Sequence, residues 1–264
     1  MKCDDICFQH ILPRLNGTDL KFLYEVNTET RKLIKRSSRA SDLKETFNVR
    51  EMSSISTLEV AWEHYPWGSR NERSWLKSVM DERSFCAEVV RTNKLELLKW
   101  IREEKKCKWN YRTINAAAEQ GNLEMVKYCV ANECPINAEA CADAALEGDL
   151  EMLKYLREEA KAPWDGNTAA WAAQEGHLHV LEYLVERKYD QYNARVCANA
   201  AYRGHLDCLK YLHETVKAPW NSAAVREARL YNEPECLQYL LDNDCPLPGG
   251  WTYEHGTLHV PRRA

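Results

Sequence analysis

Between residues 85 and 248, apolar and polar positions return in one order six times. "AAEQGNLEMVKY" begins at Ala117, and "AALEGDLEMLKY", "AAQEGHLHVLEY" and "AAYRGHLDCLKY" follow at Ala144, Ala172 and Ala200. Taking the central glycine as marker, Gly121, Gly148, Gly176 and Gly204 stand 27, 28 and 28 residues apart, and the same step reaches Asn93 and Asn232. Asparagine is the substitution expected there, because after glycine it best tolerates the left-handed backbone that ends a helix. Seven residues after each marker stands an aromatic (Trp100, Tyr128, Tyr155, Tyr183, Tyr211, Tyr239), and two residues earlier an aliphatic (Leu98, Val126, Leu153, Leu181, Leu209, Leu237). Four residues before the marker is alanine from Ala117 to Ala228, with Val89 in the first unit. Positions two, five and eight after the marker predict one apolar face of a second helix, and the small residues before it let a first helix pack closely. Each unit therefore reads as a helical hairpin. One hairpin cannot bury its own apolar face, so neighbours must stack.

A longer period lies over the first. Linkers alternate between "KCKWN", "KAPWD", "KAPWN" and "NECPIN", "RKYDQYN", "NDCPLP", which places Trp109, Trp164 and Trp220 55 and 56 residues apart. The unit is then a pair of hairpins, with the tryptophans read as packing residues. The stretches "EGHLHVLEYLV" and "RGHLDCLKYLH" resemble the second helix of ankyrin repeats, and "DGNTAAWAAQEGH" resembles the start of one. The resemblance implies an all-α, ankyrin-like helical-hairpin solenoid of about six repeats over residues 85–248. It departs from the family in lacking a Thr-Pro-Leu-His start and in its period of 27–28 residues, so the finger between units is expected to be short or lost.

Ahead of the repeats, "DICFQHILPRLNGTDLKFLYEVNTETRKLI" places apolar residues at the spacing of short amphipathic helices, with Thr18 or Asp19 as an N-cap. This stretch resembles an F-box, which implies that residues 1–40 engage the adaptor subunit of a cullin-type ubiquitin ligase. A helical cap on the first repeat is the alternative. Residues 41–84 read as a bridging helical segment and residues 249–264 as a C-terminal tail. The basic run from Arg31 to Arg39 reads as a helix C-terminus bearing cations that suit its dipole, in preference to a nuclear-import patch.

Composition narrows the function. The chain has 264 residues, 45% hydrophobic and 29% charged, with a formal net charge of −4. That balance gives no general attraction to nucleic acid. No apolar run is long enough for a membrane span, and "MKCDDICFQH" is unlike a signal peptide, so a cytoplasmic or nuclear place is expected. The 11 cysteines fall on apolar helical positions and read as reduced core thiols. Cys3, Cys7 and His10 have helical spacing but no fourth ligand nearby, and His177, His179 and His205 read as helix-start residues, so no metal or cofactor is expected. Phosphate-loop, nucleophile-elbow and dinucleotide motifs are absent, and the periodic Glu96, Glu124 and Glu151 pair with Lys99, Lys127 and Lys154; no enzyme is expected.

Function is left to positions that the repeat does not fix. The two residues before each marker vary most: Glu119 and Gln120, Leu146 and Glu147, Gln174 and Glu175, Tyr202 and Arg203, Leu230 and Tyr231. Trp171 stands where other units have Ala116, Asp143 and Asn199. In ankyrin repeats this end of the first helix lines the concave groove, which implies a non-catalytic scaffold that binds a partner protein through these residues. The sharper alternative is a substrate receptor of a cullin-type ligase.

Overall fold

A computed structural model describes residues 48–63, 67–68 and 81–261. The F-box-like stretch, the Cys3, Cys7 and His10 group and the Arg31–Arg39 run lie outside the described residues. The chain divides into two compact units, Met1–Gln120 and Gly121–Ala264. The described part of the first holds a single 3-10 turn at Val49–Glu51 and helices α1 (Ile55–Glu63), α2 (Glu82–Val90), α3 (Leu95–Glu103) and α4 (Tyr111–Glu119). Its core gathers Met52, Leu58 and Phe85, and Trp62 meets the Phe85 ring edge-on at 5.3 Å.

The second unit holds α5 (Leu123–Ala131) and then four hairpins: α6 (Ala138–Leu146) with α7 (Leu150–Lys154), α8 (Gly166–Gln174) with α9 (Leu178–Glu186), α10 (Ala194–Tyr202) with α11 (Leu206–Lys210), and α12 (Ser222–Leu230) with α13 (Pro234–Asp242). The architecture is all-α apart from a two-stranded antiparallel hairpin, β1 (Thr252–Glu254) and β2 (Thr257–His259), in the segment read as a tail. His255 and Gly256, both at positive φ, make its turn, and the Tyr253 hydroxyl accepts from Gln238 Nε2 on α13 at 3.1 Å.

The first helices start where an Asn or Asp side chain accepts an orphan backbone N–H: Asp165 from Asn167, Asn193 from Arg195 and Asn221 from Ala223. They then pack in sequence, α6 on α8, α8 on α10 and α10 on α12. Alanine makes the close approach possible; Ala169, Ala170, Ala172 and Ala173 of α8 are all fully buried. The second helices bury positions four, five and eight after the marker, such as Val180, Leu181 and Leu184. Position two is only half-buried, as at Leu178, which corrects the expected face. Four, five and eight span about 100° of a helical wheel, and two falls outside that arc.

All six markers leave the helix in the left-handed region, Asn93 (φ 57°) and Asn232 (φ 61°) included. Three of the glycines are also roofed by the next hairpin. A Cβ on Gly148 would lie 2.6 Å from the His177 ring, on Gly176 2.5 Å from the His205 ring, and on Gly204 2.1 Å from the Glu233 carboxylate. Gly121 faces open space, so the backbone alone accounts for it. His177 bonds the Leu146 carbonyl through Nε2 at 2.9 Å and stands at the start of α9, a structural post. Among the described residues no group of three His, Cys, Asp or Glu is placed to hold a metal, and no helix is long and apolar enough to cross a membrane.

The tryptophan alternation has a backbone counterpart. Each second helix also ends at a left-handed residue, which comes thirteen positions after the marker at Lys106, Lys161 and Lys217 but twelve at Glu133, Lys188 and Asp244. In the second unit the extra residue is absorbed as a π-helical turn, Tyr155–Glu159 after α7 and Tyr211–Val216 after α11, whereas α3 reaches Lys106 without one. Accordingly Ala162 N–H and Ala218 N–H reach back six residues to Leu156 and Leu212, whereas Cys134, Tyr189 and Cys245 reach back five. A planar side chain from the long helix then covers the tryptophan: Arg102 over Trp109 at 3.9 Å, Arg157 over Trp164 at 4.2 Å, and His213 stacked on Trp220 at 3.8 Å. Both arginines also donate to the linker carbonyl, Arg102 to Cys107 and Arg157 to Ala162. The tryptophans are half-buried with one face occupied by their own hairpin, as packing residues would be.

His213 departs from the two arginines. Burial and the Lys217 ammonium hold its imidazole below the ordinary value of 6.5, against a smaller pull from Glu214. The unfolded chain thus takes up this proton first as pH falls, so the contribution of His213 is full above about pH 6.5 and is lost as pH drops through the lower folded value. His213→Arg is expected to raise the melting temperature at pH 5 relative to the parent and to leave it nearly unchanged at pH 8. Melts at the two pH values check this, and equal shifts at both would contradict it.

The described cysteines are all buried and free of disulfides. Burial pushes the thiols of Cys141, Cys197, Cys208, Cys236 and Cys245 up to about 12, where they are poor nucleophiles.

Candidate partner-binding face

In the second unit α8 and α10 each have a first helix on both sides, α6 has α8 and α12 has α10 beside it, and each is covered behind by its own second helix, so one stripe stays open. Residues nine, five and one before the marker, spaced by four, lie along that stripe. They are Glu139, Asp143 and Glu147 at α6; Asn167, Trp171 and Glu175 at α8; Arg195, Asn199 and Arg203 at α10; Ala223, Glu227 and Tyr231 at α12. All are exposed or half-buried.

The sequence-derived positions fall here unevenly. Glu119 and Gln120 end α4 in the first unit, both exposed, with Glu119 Oε2 3.4 Å from Arg91. In the second unit Leu146 is half-buried and Glu147 exposed at the end of α6. Trp171, Gln174 and Tyr202 line one open groove of about 610 Å³, together with Arg195, Asn199, Arg226 and Glu227. Gln174 Nε2 donates to Glu175 at 3.0 Å, and Glu175 pairs with Arg203 across to the next helix at 3.5 Å. The Tyr202 ring meets Tyr231 edge-on at 4.3 Å, and Arg203 lies 5.5 Å over Tyr202. Leu230 and Tyr231 remain 67% and 49% exposed, a large apolar area for one open corner.

Sequence reasoning missed Arg195, Asn199, Arg226 and Glu227. Arg195 lies 5.2 Å over the Trp171 ring and donates to Asn167 at 3.2 Å, so it holds the indole at the groove floor. The available signal was variation nine residues before the marker for Arg195 and five before it, in the column of Trp171, for Asn199 and Glu227. The back of the stack differs in kind. There Lys127, Lys154 and Lys210 reach over the next unit's Tyr155, Tyr183 and Tyr239 at 5.7–6.0 Å, and Lys127 also pairs with Glu124 at 2.8 Å. Repeated residues thus face repeated residues behind, and varied ones face solvent in front. Such a front offers rings, amides and both charges for recognition.

Residues 113–197 and 141–218 match the sequence model of ankyrin repeats, in three copies. No curated protein matches the chain. The matched residues run from α4 through α11 and leave α12 and α13 outside, and ankyrin repeats are generally protein–protein interaction modules.

Proposed function

We propose that this protein is a non-catalytic scaffold whose ankyrin-like hairpins, residues 85–248, bind a partner protein through the open stripe of their first helices. Residues 41–84 join this array to the N-terminal part and residues 249–264 follow it. The observation that carries the reading is the clustering of Trp171, Gln174, Tyr202 and Tyr231 along one groove and its edge, on a scaffold whose other faces are given to stacking. Partly exposed aromatics beside arginine are the side chains that contribute most when an interface desolvates them. Leu146, Glu147, Glu175, Arg203 and Leu230 belong to the same face, with Glu119 and Gln120 as its counterparts on α4. The protein acts inside the cell, in the cytoplasm or the nucleus.

The F-box likeness of residues 1–40 supports a narrower reading, in which the array selects proteins for a cullin-type ubiquitin ligase; binding of the ligase's adaptor to the full chain decides for or against it. The scaffold reading itself is tested by affinity capture. Trp171→Ala with Tyr231→Ala is expected to remove at least nine-tenths of the captured partner, while Lys127→Ala on the second-helix side retains it. Equal capture by all three proteins, or equal loss in both variants, would reject the face.

A further inference from the structure

The open stripe of the second unit is not uniform in charge. On α6 its three positions are Glu139, Asp143 and Glu147, and neither that helix nor its cap carries a cation. On α10 they are Arg195, Asn199 and Arg203, and that helix with its cap carries no carboxylate. Between them α8 presents Asn167 and Trp171 with a single acid, Glu175, already paired with Arg203. Beyond α10, Arg226 pairs with its own neighbour Glu227 at 3.1 Å, so α12 is close to neutral there, and its end is the apolar Leu230 and Tyr231. One end of the stripe is therefore anionic, the middle aromatic and amide, and the far end cationic then apolar.

A folded partner with a uniformly charged patch would meet repulsion at one end or the other. A short segment with charge of opposite order would meet attraction at both. Packed helices stand about 8–10 Å apart, so α6 and α10 are separated by about 20 Å. An extended chain covers that distance in about six residues. We infer that the stripe binds an extended peptide segment with segregated charge: basic residues over α6, acidic residues over α10 about six positions away, and an aromatic or aliphatic side chain between them against Trp171 and Tyr202. The inference rests on the scaffold reading and specifies the partner it takes. The side-chain oxygens of Gln174 and Asn199, whose amide N–H groups donate to Glu175 and to the Ala170 carbonyl, lie in the same strip for backbone N–H groups of such a segment. Attraction at both ends also fixes the register of the segment, since sliding by one hairpin would move its acids off Arg195 and Arg203.

The test uses the full-length protein and two synthetic eight-residue peptides of identical composition. One carries two lysines at one end, two glutamates at the other and Leu-Phe at the centre, with Gly and Ser as spacers. The other has the lysines and glutamates alternating. Calorimetry at low ionic strength is expected to give the segregated peptide at least tenfold higher affinity than its isomer, falling toward equality at 0.5 M salt as surface charges are screened. Glu147→Lys and, separately, Arg203→Glu are each expected to remove at least threefold of that preference. Equal affinity of the two peptides overturns the inference, and so does absence of binding by the segregated peptide at millimolar concentration. A cellular partner captured through Trp171 and Tyr231 but indifferent to Glu147→Lys and Arg203→Glu would retain the scaffold reading and reject only the charge order.

Discussion

Deleting residues 149–204 is expected to leave a folded, shorter protein, and deleting residues 149–176 is expected to leave one that melts at a lower temperature. The first deletion removes two hairpins and joins Gly148 to His205, so a helix with a π-helical turn again follows α6. The second removes one hairpin and joins Gly148 to His177, so two short second helices come in succession. The difference is concrete at Tyr189. Its hydroxyl donates to the Asp165 carbonyl at 2.6 Å, and its ring meets Trp164 edge-on at 5.3 Å. Keeping Tyr189, which is only 5% exposed, while Ile136 and Asn137 take the register of Trp164 and Asp165 leaves a backbone carbonyl for the hydroxyl but misfits the buried ring, at a cost of about 1–3 kcal/mol. The Tyr189 ring also loses its aromatic neighbour. For a domain of this size each kcal/mol moves the midpoint by about 2–4 °C. The single-hairpin deletion should thus melt about 5 °C or more below the double one, although it retains more interfaces. Equivalent interfaces predict the reverse order, and circular dichroism melts in that reverse order would remove the pair as the unit.

Gly176→Ala is expected to destabilise far more than Gly121→Ala. Both residues need the left-handed region, where an L side chain costs about 1–2 kcal/mol. At Gly176 the new methyl also meets the His205 ring at 2.5 Å, whereas at Gly121 it meets nothing within 4 Å. Forcing the half-buried ring aside adds an overpacking cost of about 1–3 kcal/mol. The expected losses are about 2–5 kcal/mol against about 1–2. Combining Gly176→Ala with His205→Ala should recover most of the difference, because the ring is the obstacle. Urea unfolding of the four proteins measures this. Equal losses at the two glycines would show that backbone conformation alone selects the residue.

The same pair of glycines shows what could be read from the chain. That Asn93 and Asn232 end helices in the left-handed region was legible, since few side chains tolerate it and both stood in register. Why Gly148, Gly176 and Gly204 admit no asparagine was not, because the obstacle comes from His177, His205 and Glu233 one unit later. The π-helical turns left no residue-type mark. "YLREEAKAPW" has the composition of an ordinary helix end, and the one-residue lag between marker and left-handed lysine does not single it out, since Lys106 shares the lag without a π-helical turn. The binding face was half legible: variation beside the marker pointed to Trp171, Gln174, Tyr202 and Tyr231, which the structure gathers at the groove and its edge. The charge order of that face needed the column nine residues before the marker, where Glu139 and Arg195 stand more than one turn ahead of the text that repeats. The β1–β2 hairpin was missed because three-residue strands lie below any periodicity, leaving His255-Gly256 as its one local sign.

The roofing of Gly148, Gly176 and Gly204 gives this part of the stack a sense of time as well as direction. His177 covers Gly148, His205 covers Gly176 and Glu233 covers Gly204, so the cover always comes from the hairpin made later. On a ribosome, where synthesis runs from the N-terminus, a hairpin emerging from the exit tunnel still lacks its lid. It is completed only when about one further repeat length has been translated. Closure of these three turns should therefore follow elongation one hairpin behind, and a pause in translation would hold the nascent array with the latest of them uncovered, while Gly121 stays open throughout.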